Sequence, residues 1–275
     1  MKILTIGNSF TDSLKAYFPQ VCESAGVELE IDYANHGGCQ LSRHWEYIEN
    51  EERDPVYHMY RNHTKTMGEI LRETAWDVVT IQQSSPNSWI WDTFLPYGEN
   101  IRNYINQNAP QAEVVIQQTW SYRADDPRIA PGGIWNINQD EMYSKLTENY
   151  KRLAGELGGL RIIPTGKAVQ LARQKQQDNF VPYDPELLSQ LKWPDLPRQA
   201  NSVVGRMWWH KNPTTGKLEI ARDTIHLNQR GQYLQACVWF AFFFKLPTSS
   251  ITFVPDIIDN DDAAFLRQIA QEAVS

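Results

Sequence analysis

Residues 2–12 read KILTIGNSFTD. Ile3, Leu4 and Ile6 give the first five residues the aliphatic, β-branched character of a buried strand. Gly7-Asn8-Ser9 then breaks the run, and residues 12–25 carry a helical pattern. A strand, a glycine turn and a helix make the opening of a βα unit.

The same alternation continues outward. ELEIDYA (28–34), DVVTI (77–81), EVVIQQT (113–119) and LRIIPT (160–165) read as four further strands. Helical patterns lie between them at 98–107 and 140–157. In the latter, Met142, Leu146, Tyr150, Leu153 and Leu157 share one face. The expected fold is α/β: a three-layer α/β/α sandwich around a mostly parallel five-stranded sheet, flavodoxin-like. Right-handed crossovers bring the C-terminal strand ends to one edge, where ligands of open α/β sheets bind. Residues just after strands 1 to 4 are therefore the candidates for a site.

Residues 1–275 read as a single domain in which two stretches, 45–75 and 178–222, interrupt the alternation as insertions. Segments of this kind form lids or binding loops. Within the second, MWWHKNPTTGKLEIAR (207–222) predicts a hairpin around Pro-Thr-Thr-Gly. Trp89, Trp91, Trp208 and Trp209 are expected on loops. ACVWFAFFFKL (236–246) predicts a buried helix, and DIIDNDDAAF (256–265) a solvated helix start whose acids complement the dipole.

Composition narrows the function classes. The chain has 275 residues and a formal charge of −7, which disfavours general binding to nucleic acid. No run of about 18 apolar residues is present, so no membrane span is expected. The first residues lack the length and cleavage site of a signal peptide. The expectation is a cytoplasmic protein if Met1 is the natural start, and a periplasmic or secreted one if a leader was removed. Ten Trp, 12 Tyr and 10 Phe supply rings for a core or for a groove that stacks on ligands. Cys22, Cys39 and Cys237 are widely spaced and read as buried small hydrophobes, a catalytic thiol being the other reading. His36, His44, His58 and His63 show no metal-ligand spacing, so neither a metal nor a cofactor is expected. Nothing in the sequence sets an oligomeric state.

Two segments carry chemistry. In GNSFTD (7–12), Ser9 follows the first strand near a helix start, where a developing negative charge is favoured. Capping by Ser9 or Thr11 is the plainer reading. In RDTIHLNQRGQYL (222–234), Asp223 and His226 stand three apart. In a turn leading into a helix, Asp223 can orient the imidazole while His226 takes a proton from a hydroxyl. A capping Asp and an ordinary half-buried His are the alternative.

Taken together the two segments resemble the SGNH (GDSL-like) hydrolase superfamily of esterases and lipases. The GNSF first block is similar to that of a bacterial branch often associated with carbohydrate metabolism. The resemblance implies Ser9 as nucleophile, His226 as base and Asp223 as its orienting acid. It implies an oxyanion hole from the backbone N–H groups of Ser9 and Gly38, with Gly37 behind, in ANHGGCQL (34–41). The family's third block normally supplies an Asn; here the stretch is IQQSS (81–85), which points to the Gln82 amide, with Gln83 next to it. Asn8 replaces the family's usual Asp. His36 beside Gly38, Gln83 after the third strand, and Gln118, Trp120 and Arg123 after the fourth are the expected substrate contacts. The implied partner is a small-molecule or oligosaccharide ester, and the implied activity a carbohydrate O-acetyl esterase. A lipase, lysophospholipase or thioesterase, and a sugar-binding protein without catalysis, are the competing readings.

Overall fold

Five short aliphatic runs form one sheet in the computed structural model, which describes residues 1–183, 185–199 and 201–275. They are β1 Lys2–Ile6, β2 Glu30–Tyr33, β3 Val78–Ile81, β4 Glu113–Gln117 and β5 Ile162–Ile163. The order is β2-β1-β3-β4-β5, and every neighbouring pair is parallel. The three inner strands are buried almost throughout, which is why they read as continuous rather than alternating apolar runs. Glu30 and Asp32 on β2 mark an exposed edge. The chain reverses its direction of growth between β1 and β3, and that switch point is where the C-terminal edge opens a crevice.

The described residues also form the helices α1 Ser9–Asp12, α2 Phe18–Ser24, α3 Leu41–Arg53, α4 Met67–Glu73, α5 Tyr97–Asn108, α6 Gln139–Glu156, α7 Thr165–Lys175, α8 Pro185–Gln190, α9 Gln229–Phe244 and α10 Asn260–Val274. α3, α4 and α5 pack together on one side, and α2, α7, α9 and α10 on the other. This is the expected α/β/α sandwich. α9 is apolar all round, and Leu234, Cys237, Val238, Trp239 and Phe240 are fully buried. Its Trp239 Nε1 donates to Gln117 Oε1 at 2.9 Å, which joins the helix to the end of β4.

Several boundaries differ from the sequence reading. The single helix expected over 12–25 is broken into α1, a 3₁₀ turn at Ser13–Ala16, and α2. Pro19, which has no N–H to donate, suits only the first turn of a new helix. Residues 45–75 interrupt the strand alternation as expected, yet much of the stretch is α3 and α4, which send Ile48, Met67, Ile70 and Leu71 into the core. β5 is only two residues long because Thr165 already begins α7 behind Pro164. Residues 184 and 200, inside the expected 178–222 insertion, lie outside the described residues.

The predicted hairpin forms: β6 Val204–Lys211 pairs antiparallel with β7 Leu218–Leu227. Asn212 Oδ1 accepts the N–H groups of Thr214 and Thr215 at 2.9 and 3.0 Å and closes the turn. Trp208 and Trp209 therefore lie on a strand, not on a loop. Among the described residues, no helix is long and apolar enough to cross a membrane.

Ile116, in the middle of β4, has no exposed surface. Ile116→Ala is expected to lower the unfolding free energy by about 2–5 kcal/mol in urea titrations, the range for a buried cavity. A change below about 1 kcal/mol would place that strand outside the cooperative core.

Candidate active site

The nucleophile turn begins where β1 ends. Gly7 does not serve through an unusual backbone angle; a Cβ there would stand 2.7 Å from Thr11 Oγ1, so the turn closes only around a glycine. Asn8 caps α1, its Oδ1 accepting from Phe10 N at 3.1 Å. The same oxygen accepts from Gln82 Nε2 at 2.6 Å, and Asn8 Nδ2 donates to Cys39 O at 2.9 Å. An aspartate could accept the first two bonds but could not donate the third. The amide at position 8 thus ties the 36–39 turn, with Gly38 at φ +65°, to the residue before Ser9. As the first residue of a helix, Ser9 has no intrahelical acceptor for its own N–H.

Ser9 Oγ lies 2.9 Å from His226 Nε2, and His226 Nδ1 lies 2.7 Å from Asp223 Oδ2. The three side chains brought together from opposite ends of the sequence are those expected. Their backbone is not the expected turn into a helix, because Asp223 and His226 both lie on β7. Residues three apart on a regular strand point to opposite faces. Here the pairing jumps from Val204–Leu227 to Arg206–Asp223, so one residue of β6 faces three of β7. This bulge lets both side chains turn to the same side. Gly205 makes it possible: it sits at φ +81°, and a Cβ would meet Asp223 O at 2.6 Å.

Asp223 Oδ1 accepts from the N–H groups of Ile225 and His226, each at 2.9 Å. Burial on its own would raise this carboxyl. The bonds from the His226 ring and the two N–H groups outweigh it and hold Asp223 well below the usual carboxylate range. The acid is therefore ionised at neutral pH and can accept a hydrogen bond from the Nδ1 proton of His226.

The loop after β4 supports the bulge. Trp120 Nε1 donates to Ile225 O at 2.8 Å, Arg123 N to Thr224 O at 2.9 Å, and Thr224 Oγ1 to Asp126 Oδ2 at 2.6 Å. Asp126 is fully buried and is held by Arg128 through two further bonds of 2.8 and 2.6 Å. Trp120 also stacks on Phe10 at 4.1 Å, and Phe10 meets the His226 ring edge-on at 5.6 Å.

These contacts correct several expected roles. Gln82 is buried, its Nε2 on Asn8 and its Oε1 accepting from Thr11 Oγ1 at 2.6 Å, so it braces the nucleophile turn instead of facing an oxyanion. Gln83 Nε2 is taken by Thr93 O at 2.8 Å, and its Oε1 accepts Leu41 N and Ser84 N. Gln118 is a strut: its Nε2 donates to Thr147 Oγ1 at 3.0 Å and its Oε1 accepts Lys167 N at 3.0 Å. Trp120 and Arg123 are buried, the latter in a bidentate pair with Asp125 at 2.6 and 2.9 Å. The His36 ring packs on Tyr47 and Tyr60 at 5.3 and 5.1 Å. Trp89 packs on Trp135, and Trp91 on Phe94. Burial pushes the thiols of Cys22, Cys39 and Cys237 up to about 12, which removes the catalytic-thiol reading.

A groove of about 520 Å³ opens in front of Ser9, lined also by Asp12, Ser13, Arg206, Asp223, His226, Leu227, Asn228, Gln229 and Gln232. Neither Gly38, Gln82 nor any of the five expected substrate contacts lines it. The sequence reading missed Asp126, Thr224 and Arg206. Asp126 and Thr224 are 98 residues apart, and no local pattern joins them. Arg206 becomes visible only when the hairpin register is counted out and places it opposite Asp223. Among the described residues, no group of three or more His, Cys, Asp or Glu is placed to hold a metal ion.

The chain belongs to the family described as a domain of unknown function, DUF4886, whose model matches residues 2–184. Its fold is similar to the crystal structure of a DUF4886 family protein from Bacteroides uniformis ATCC 8492, at 24% identity and a TM-score of 0.76, over 100% of this chain and 94% of that one. Weaker similarity, at a TM-score of 0.47, links it to an acetyl xylan esterase from Geobacillus stearothermophilus, with 12% identity over 93% of this chain and 97% of that one. A member of the lipolytic protein G-D-S-L family from Veillonella parvula DSM 2008 also has a TM-score of 0.47, with 13% identity over 90% of this chain and 100% of that one. A search of curated proteins gives no match.

One buried histidine tests the scaffold. His44 Nε2 donates to Gly7 O at 2.9 Å, so its Nδ1 accepts from Tyr60 Oη at 3.0 Å, and the ring is neutral. Burial pushes it from the ordinary 6.5 down to about 4. Between those values the unfolded chain binds more protons than the folded one, so stability falls as pH is lowered through that window. Urea titrations at pH 7 and 4.5 are expected to show a loss of a few kcal/mol in the wild type. His44→Gln keeps a donor and an acceptor without titrating and is expected to show a smaller loss. Equal losses in both proteins would remove His44 as the cause.

Proposed function

We propose that this chain is a serine esterase of the SGNH type that removes acetyl groups from hydroxylated, carbohydrate-like substrates. The observation that carries the reading is the unbroken chain from Ser9 Oγ through His226 to the depressed Asp223 carboxyl, opening onto a polar groove. In this mechanism His226 Nε2 takes the Ser9 proton as Oγ attacks the ester carbonyl. Asp223 keeps the second ring nitrogen protonated and stabilises the imidazolium. The developing oxyanion is received by the Ser9 N–H at the start of α1. His226 then protonates the leaving sugar oxygen, and a water molecule releases acetate by the same route reversed.

The groove favours acetyl over long acyl chains. Leu227 is the one apolar side chain among its ten lining residues. The larger, apolar cavity of about 930 Å³, walled by Phe180, Val181, Tyr183 and Leu187, includes neither Ser9 nor His226. Among the described residues, Leu227 is therefore the whole apolar wall that a fatty acyl group would meet in this groove.

The first test is hydrolysis of 4-nitrophenyl acetate and butyrate. Wild type is expected to turn over acetate faster than butyrate. Ser9→Ala and Asp223→Asn are expected to lose about 10³-fold or more in kcat while remaining folded. Full activity in Ser9→Ala sinks the reading, and faster turnover of butyrate transfers it to a lipase-type enzyme.

Thr224→Val tests the support of the bulge. It removes the bond to Asp126 with little change in volume and is expected to lower kcat about tenfold with KM nearly unchanged. A change confined to KM would show that Thr224 acts on substrate binding instead.

A further inference from the structure

Arg206 is the one cationic side chain among the groove residues that the mechanism does not use. Arg206 projects from β6 into the cavity that holds Ser9 and His226, and it is exposed. Its guanidinium lies 4.7 Å over the Trp208 ring, two residues along the same strand face. Among the described residues, no carboxylate is paired with it. The acids nearby are occupied: Asp12 with Lys15 at 2.6 Å, Asp223 with His226, and Asp125 with Arg123 at 2.6 Å. The Asp223 oxygens are taken by the N–H groups of Ile225 and His226 and by the His226 ring, and no ion pair joins Asp223 to its cross-strand partner Arg206 among the described residues. A cation braced on an indole and aimed into a site, with no anion of its own, is arranged to receive one from a ligand.

We infer that Arg206 forms an acid-recognition subsite, and that the preferred substrate is an acetylated sugar bearing a carboxylate, such as a uronic acid unit. The inference rests on the esterase reading for its catalytic part and deepens it. A planar carboxylate matches the fork of a single guanidinium through two parallel N–H···O bonds. A doubly charged phosphate suits the place less well, because Asp12 and Asp223 line the same groove and the chain carries a net charge of −7. The first turn of α9 supplies Gln229 and Gln232 to the same wall, where amides can meet sugar hydroxyls. The acyl carbon then lies at Ser9 and the carboxylate at Arg206, both of which line the one groove.

The experiment compares mono-O-acetylated methyl glucuronoside with the matching methyl glucoside, which carries a hydroxymethyl group in place of the carboxylate. For wild type, kcat/KM is expected to favour the uronoside by about tenfold or more at low salt. That preference is expected to shrink as salt is added. In Arg206→Gln the ratio is expected to fall to about one, and Arg206→Lys to keep part of it. A wild-type ratio of one or less, or an unchanged ratio in Arg206→Gln, overturns the subsite.

Failure of the esterase reading itself shows separately, as 4-nitrophenyl acetate turnover that Ser9→Ala does not abolish. In that case binding of non-acetylated methyl glucuronoside and methyl glucoside is titrated directly on Ser9→Ala and on Ser9→Ala/Arg206→Gln. Uronoside binding that is lost with Arg206 keeps the subsite, and equal binding of the two sugars by both proteins refutes it.

Discussion

The site depends on a break in β7. An acid and a histidine three residues apart on a strand cannot face the same hydroxyl while the strand stays regular. The chain solves this by setting three residues of β7 against Gly205 alone, a position where any side chain would strike the Asp223 carbonyl. Such a bulge leaves backbone groups unpaired, and buried unpaired groups are costly. The loop after β4 takes them up: Trp120 bonds Ile225 O, Arg123 bonds Thr224 O, and buried Asp126 accepts the Thr224 hydroxyl. The imidazole is thereby aimed by a segment that lies some hundred residues earlier in the chain.

The nucleophile is held by a second buried network on the other side of the sheet's switch point. Gln82, Thr11 and Asn8 form a closed set of amide and hydroxyl bonds at the ends of β1 and β3. Asn8 hands that order on to the Gly38 turn through Cys39 O, and His44 fixes Gly7 O from behind. Fully satisfied polar networks of this kind are rigid, and rigidity is what a nucleophile near its base requires. The polar residues at these strand ends are thus spent on geometry, and the groove itself is lined by a different set.

This division explains what could be read in the sequence. The five strands, the hairpin and the buried helix α9 each announce themselves locally, through aliphatic runs, a Pro-Thr-Thr-Gly turn and an apolar block. Ser9, Asp223 and His226 were legible because short motifs surround them. Gln82, Gln118, Trp120 and Arg123 were placed correctly at the C-terminal edge, but which way a side chain turns at that edge is decided by partners far off in sequence. Gln118 found Thr147 and Lys167, Trp120 found Phe10 and Ile225, and Arg123 found Asp125. Arg206 escaped notice for the opposite reason: it stands on a strand that reads as an insertion, and only the register of the hairpin brings it to the groove.

The most direct test of the central claim, that His226 makes Ser9 a nucleophile, is covalent labelling with a fluorophosphonate followed by peptide mass spectrometry. The account predicts one phosphonyl adduct, on the peptide carrying Ser9, formed in wild type and lost in His226→Ala. Folded protein that stays unlabelled, or that is labelled equally well without His226, would contradict it.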